Sequence, residues 1–127
     1  MPEKTVSIWA THADWSEDTL HHLTCPSYTE DGDSQGSEFS RAFGVRLDDD
    51  LLEVARVEEG CSLLTALEDF SYAASICDSL TEQGLGQTPQ PFNQLVLAYD
   101  HRFTGTPTTA SIRGVMVHYI ASVSYRE

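Results

Sequence analysis

A chain of 127 residues, 40% of them hydrophobic and 21% charged, is long enough for one domain with one sizeable core and too apolar to stay unfolded. Twenty Asp and Glu against seven Lys and Arg give a formal net charge of -13. That balance excludes direct binding to nucleic acid or to an anionic membrane surface, and it leaves a partner that is cationic or indifferent to charge. Cys25, Cys61 and Cys77 are odd in number and lack C-x-x-C spacing, so they read as reduced thiols. Met1 to Lys4 run directly into Val6, Ile8 and Trp9 with no cationic leader before an apolar stretch, and no run approaches the roughly 18 apolar residues of a membrane span. The expected compartment is the cytoplasm.

In chain order, Thr5 to Ala10 alternates Val6 and Ile8 against Thr5 and Ser7, with Trp9 on the second face, which is the period of a strand. Ser16 followed by Glu17 and Asp18 supplies an N-cap with acids in the first turn, and Leu20 and Leu23 then share a face of a short helix that must end before Pro26. Tyr28 to Gly36 holds two glycines, three acids and nothing apolar after its tyrosine, and reads as a solvated loop. Ser37 opens a second short helix that places Phe39 and Phe43 on one face and stops at Gly44.

Leu51 to Val57 fits neither period cleanly and is assigned to a strand. Ser62 to Leu80 carries Leu63, Leu64, Leu67, Ile76 and Leu80 at helical spacing, with Phe70-Ser71-Tyr72 as a bend between two helices and Gly84 as a stop. Gly84 to Pro91 is a connection rich in glycine and proline. Leu95 to Tyr99 and Ile112 to Val123 are buried strands with apolar residues on both faces, expected to pair as a hairpin through Thr104-Gly105-Thr106-Pro107. This order does not alternate regularly enough for a parallel α/β fold. It predicts an α+β fold in a single domain spanning residues 1–127, with a mostly antiparallel sheet and helices packed on one face.

No motif carries a reaction. Gly32-Asp33-Ser34-Gln35-Gly36 matches G-x-S-x-G, but no apolar strand precedes it, and Glu30, Asp31 and Asp33 would oppose a developing oxyanion. Asp31-x-Asp33-x-Gln35-Gly36 resembles the start of a calcium loop, yet its twelfth position is Ala42 where a bidentate Glu is needed. His12, His21, His22, His101 and His118 show no zinc spacing, and no glycine-rich phosphate loop follows a strand. The chain is therefore expected to be no enzyme, with no catalytic residue, no cofactor and no metal.

The acids are unevenly placed: Asp14 to Glu59 holds 13 of the 20, against Arg41, Arg46 and Arg56. A run of acids is often just a solvated face. Read functionally, it is an electronegative patch that docks a cationic surface, with Tyr28 beside it as an aromatic anchor and Glu30, Asp31, Asp33, Asp48, Asp49, Asp50, Glu53, Glu58 and Glu59 as its contact residues.

The chain resembles the bacterial immunity protein 22 family of polymorphic toxin systems. The carriers are Val6-Ser7-Ile8-Trp9, then Tyr28-Thr29-Glu30-Asp31-Gly32-Asp33 followed by Ser37-Glu38-Phe39 and Phe43-Gly44-Val45. Asp49-Asp50-Leu51-Leu52-Glu53, Phe70-Ser71-Tyr72 and Ile120-Ala121-Ser122-Val123 continue the pattern in order along nearly the whole chain. The resemblance implies an α+β immunity protein that binds the C-terminal domain of a cognate toxin. Many such toxins are nucleases, whose surfaces must be cationic to hold phosphates, so an acidic inhibitor suits them. The competing expectation is an acidic adaptor or nucleic-acid mimic, which would bind many basic proteins in a strongly salt-sensitive way.

Overall fold

The structure, a computed structural model, describes residues 4–25, 27–28, 30–32, 34–44, 52–58, 62–84, 92–101, 103 and 108–126. Its centre is a five-stranded, fully antiparallel sheet in the order β4-β5-β1-β7-β6, formed by β1 (Lys4–Thr11), β4 (Leu52–Arg56), β5 (Gln94–Tyr99), β6 (Thr109–Ile112) and β7 (Val115–Tyr125). A separate two-stranded ribbon joins β2 (Ser27–Tyr28) to β3 (Ser34–Gly36). The helices are α1 (Glu17–Thr24), α2 (Glu38–Phe43), α3 (Leu63–Ala66) and α4 (Ala73–Glu82), with a 3-10 turn at Leu67–Asp69. The architecture is α+β.

Local chemistry accounts for the helix ends. The Ser16 hydroxyl accepts from the Thr19 amide at 3.2 Å, and Ser62 does the same for Thr65. Ser37 and Ser40 form a reciprocal capping box, and Gly44 ends α2 in the left-handed conformation at φ 66°. Asn93 and Gln94 hold the connection into α1, because both side-chain amides donate to the Ala13 carbonyl while the Asn93 oxygen accepts from the Ala13 amide.

Helices cover both faces of the sheet, which corrects the expectation of helices on one face. The reason lies in β1 and β5, each of which presents apolar side chains to both sides, with Trp9 alone doing so on the second face of β1. Val6, Ile8, Leu95, Leu97 and Tyr99 pack with Leu63, Leu67, Ile76 and Leu80 from α3, the turn after it and α4. Trp9, Val96 and Ala98 pack on the opposite face with Leu20 and Leu23 of α1 and Phe39 and Phe43 of α2. A strand apolar on both sides leaves area in contact with water unless each side is covered.

A bulge lets β7 serve both cores. Ile8 pairs with Ala121 whereas Trp9 pairs with Tyr119, so Ile120 has no opposite number on β1. Val117 and Tyr119 therefore face the aromatic core around Trp9, while Ala121, Val123 and Tyr125 face the aliphatic one.

Two expected pairings also change. β5 and β7 do not form a hairpin with each other, because β1 lies between them and pairs with both. The hairpin is instead β6–β7, turning at Arg113 and Gly114 with φ 51° and 78°, the positive values of a primed two-residue turn. The expected strand from Ile112 ran through this turn because Arg113 does not advertise a left-handed residue. Likewise, the expected loop at Tyr28 to Gly36 contains the β2–β3 ribbon. The Thr104 to Pro107 turn and residues 85–91 of the glycine- and proline-rich connection lie outside the described residues, as does Cys61.

Candidate functional site

The acids assigned to a docking face divide into distinct groups. Glu30 and Asp31 lie exposed at the turn of the β2–β3 ribbon, and Tyr28 belongs to β2 itself. Glu58 is exposed just beyond the end of β4. Asp33, Asp48, Asp49, Asp50 and Glu59 lie outside the described residues.

Glu53 has a different environment. It projects from β4 on the side of the sheet that carries α3 and α4, where its Oε1 accepts from the Tyr99 phenol and from the Ser71 backbone N–H at 3.0 Å. The Tyr99 phenol is also within 3.2 Å of the Ser71 carbonyl. Burial first, and then the hydrogen bond to Glu53, push the Tyr99 phenol far above its ordinary range, so it stays a protonated donor.

Beside this pair stands a group of aromatic rings. Tyr72, Tyr99 and Tyr125 pack mutually, with ring centroids 5.2 to 5.7 Å apart. Tyr99 and Tyr125 are buried, but Tyr72 is 42% exposed and holds φ 60°, a left-handed conformation that a bulky side chain seldom adopts. The ledge continues into an open groove of about 410 Å³ between α4 and the end of β7, lined by Ser75, Asp78, Ser79, Glu82, Ser124 and Tyr125 among others. This corner thus combines an exposed aromatic ring and the nearby Glu53 carboxylate with a groove whose charged lining is Asp78, Glu82 and Arg126.

Other ionisable groups look structural. Glu38 accepts both arms of the Arg113 guanidinium, at 2.7 and 3.1 Å, and this pairing holds its carboxyl below the usual range. Burial and the neighbouring Asp78 and Glu68 push the Cys77 thiol up, away from the reactive thiolate. Among the described residues no three His, Cys, Asp or Glu side chains come together as a metal ligand set. None of their helices is long and apolar enough to cross a membrane.

Compared with family models, residues 6–126 match the one described as immunity protein 22. The chain belongs to the immunity protein 22 family. Comparison with curated proteins and with solved structures gives no match. In this family member the sequence pieces that carry the resemblance meet in space. The Ser7 and Ser122 hydroxyls are 2.7 Å apart, the Trp9 and Phe39 rings lie edge to face at 5.0 Å, and the Ser71 amide meets Glu53.

Sequence reasoning missed that Tyr72, Tyr99 and Tyr125 pack together beside Glu53 and that Asp78 and Glu82 line the groove next to them. The visible signal was the Phe70-Ser71-Tyr72 break in the helical pattern, which marks a bend but does not reveal what packs beside it.

Proposed function

We propose that this member of the immunity protein 22 family neutralises a cognate bacterial toxin of a polymorphic toxin system by non-covalent binding in the cytoplasm, acting as one domain and catalysing no reaction. The observation that carries this reading is the match to an immunity-protein family along almost the entire chain. The net charge of -13 adds the chemistry of the partner, a cationic C-terminal toxin domain of the nuclease type. Opposite charge would steer encounter and raise the on-rate, while buried anchors would set the off-rate. Blockade of the toxin's active region would then be steric and electrostatic.

The docking face we propose includes Tyr28, Glu30, Asp31, Asp33, Asp48, Asp49, Asp50, Glu58 and Glu59, with Glu53 contributing from the tyrosine ledge. A tagged pull-down from the native cells at moderate salt, followed by a high-salt wash, tests the reading. One retained protein whose C-terminal domain is cationic and toxic supports neutralisation of a single toxin. A mixture of basic proteins that washes away with salt favours the acidic adaptor instead, because screened surface charge does not select among partners.

A further inference from the structure

Glu53 uses only one of its oxygens internally. Oε1 accepts from both Tyr99 and Ser71, whereas Oε2 has no donor among the described residues. The next residue after Ser71 is Tyr72, whose ring is packed edge-on against Tyr99 at 5.7 Å and tilted against Tyr125 at 5.2 Å, and is still largely open to solvent. Through Ser71 and Tyr99, the Glu53 carboxylate, whose Oε2 has no donor among the described residues, and the exposed Tyr72 ring belong to one connected cluster. The left-handed backbone at Tyr72 has an energetic cost that glycine would not incur, and strain of this kind concentrates at ligand-binding positions.

We propose that Tyr72 and Glu53 together form a receptor for one arginine side chain of the partner. This rests on the neutralisation reading for the identity of that partner, but not for the existence of the site. A guanidinium is planar, so it can lie against the tyrosine ring while an N–H donates to Oε2. Ring stacking and an in-plane hydrogen bond demand that shape. Lysine offers a compact, strongly hydrated point charge that satisfies the carboxylate without stacking. The adjoining groove is lined by Asp78 and Glu82 against the single cation Arg126, a balance that still favours a cationic segment. The buried partners keep the receptor in shape: Tyr99 and Ser71 fix the carboxylate, and Tyr99 with Tyr125 fixes the ring, so little freedom is lost when the ligand docks.

The variant Glu53→Gln isolates the claim. Glutamine keeps a carbonyl oxygen for Tyr99 and Ser71 and replaces only the second oxygen, which becomes a donor that repels a guanidinium. Tyr72→Phe preserves the ring, and Tyr72→Ala removes it.

The test is a nuclear magnetic resonance titration of the whole protein with N-acetyl-arginine methylamide, using the lysine analogue as comparison and thermal melting to check that each variant folds. Saturable shifts at the Ser71 and Tyr72 amides are expected in the natural protein and in Tyr72→Phe. Affinity should fall about tenfold in Glu53→Gln, the equivalent of one charged hydrogen bond, and the lysine analogue should bind more weakly. If Tyr72→Ala does not fold, Glu53→Gln still decides the matter. Absence of a saturable shift at these amides, equal binding of the two analogues, or an unchanged affinity in Glu53→Gln overturns the proposal. No toxin takes part, so a chain that neutralises a toxin and fails this titration loses the arginine receptor and keeps its proposed function.

Discussion

The phenol of Tyr99 donates to the carboxylate of Glu53 on the neighbouring strand. The bond ties an edge strand to the most buried strand of the sheet, and through Ser71 it also anchors the bend that begins α4. An acid that reads as solvent-facing charge in the sequence is thereby half-buried, with one of its oxygens tied into the fold.

This bond makes stability sensitive to alkali. The Tyr99 phenol is raised above its ordinary value of 10.0 in the folded protein, chiefly by burial and then by Glu53. Above about pH 10 the unfolded chain therefore sheds this proton while the folded protein keeps it, and stability falls as pH rises. Chemical denaturation between pH 8 and about 11 should give a declining stability whose slope is shallower in Tyr99→Phe. An identical slope in both proteins would remove Tyr99 as the cause.

Trp9 is fully buried and contacts four other rings, Phe39, Phe43, Phe103 and Tyr119, at centroid distances of 5.0 to 5.8 Å. Trp9→Ala should cost about 3–5 kcal/mol, a large share of the stability of a domain this size. Trp9→Phe should cost less because it keeps part of the packing. Urea melts of the two variants check the ranking, and a loss below about 1 kcal/mol for the alanine variant would contradict this packing.

Ser7 is fully buried in β1 and links three groups. Its hydroxyl donates to the His101 carbonyl at 2.7 Å, accepts from the Phe103 amide at 3.0 Å and meets the Ser122 hydroxyl. With its single proton committed to His101, Ser122 must donate to Ser7, and Tyr119 in turn to Ser122. Ser7→Ala leaves the Phe103 N–H without an acceptor and should cost about 1–3 kcal/mol. Hydrogen exchange at the Phe103 amide should quicken in the same variant; unchanged protection there would argue against the network.

The β6–β7 turn tests the corrected topology. Gly114 holds φ 78°, and a Cβ there would meet nothing within 4 Å, so any penalty comes from the backbone alone. Gly114→Ala should destabilise by about 1 kcal/mol without changing the near-ultraviolet spectrum of the core. A neutral effect would mean that Gly114 does not require a positive φ.

Much of this fold was legible in the sequence because the signals were local. Ser16, Ser37 and Ser62 announced helix starts through their side chains, and Leu95 to Tyr99 announced a strand buried on both faces by being apolar throughout. What stayed hidden was long-range. Nothing local tells β5 to pair with β1 and β4 instead of β7, and the Ile120 bulge exists only relative to a partner strand. The site was less legible than the fold. Acid clustering drew attention to charge, yet Glu53 differs from Glu30 or Asp31 by its neighbours Tyr99 and Ser71, which lie 46 and 18 residues away along the chain.

Neutralisation of a toxin can be read out as growth of cells that make both proteins. The cationic C-terminal domain of the protein captured by this chain would be expressed in bacterial cells alone and together with the chain. Growth should arrest in the first case and be restored in the second, with restoration lost when Glu30, Asp31 and Glu58 are reversed in charge together. Growth arrest that the chain does not relieve, although both proteins are present and folded, would contradict neutralisation.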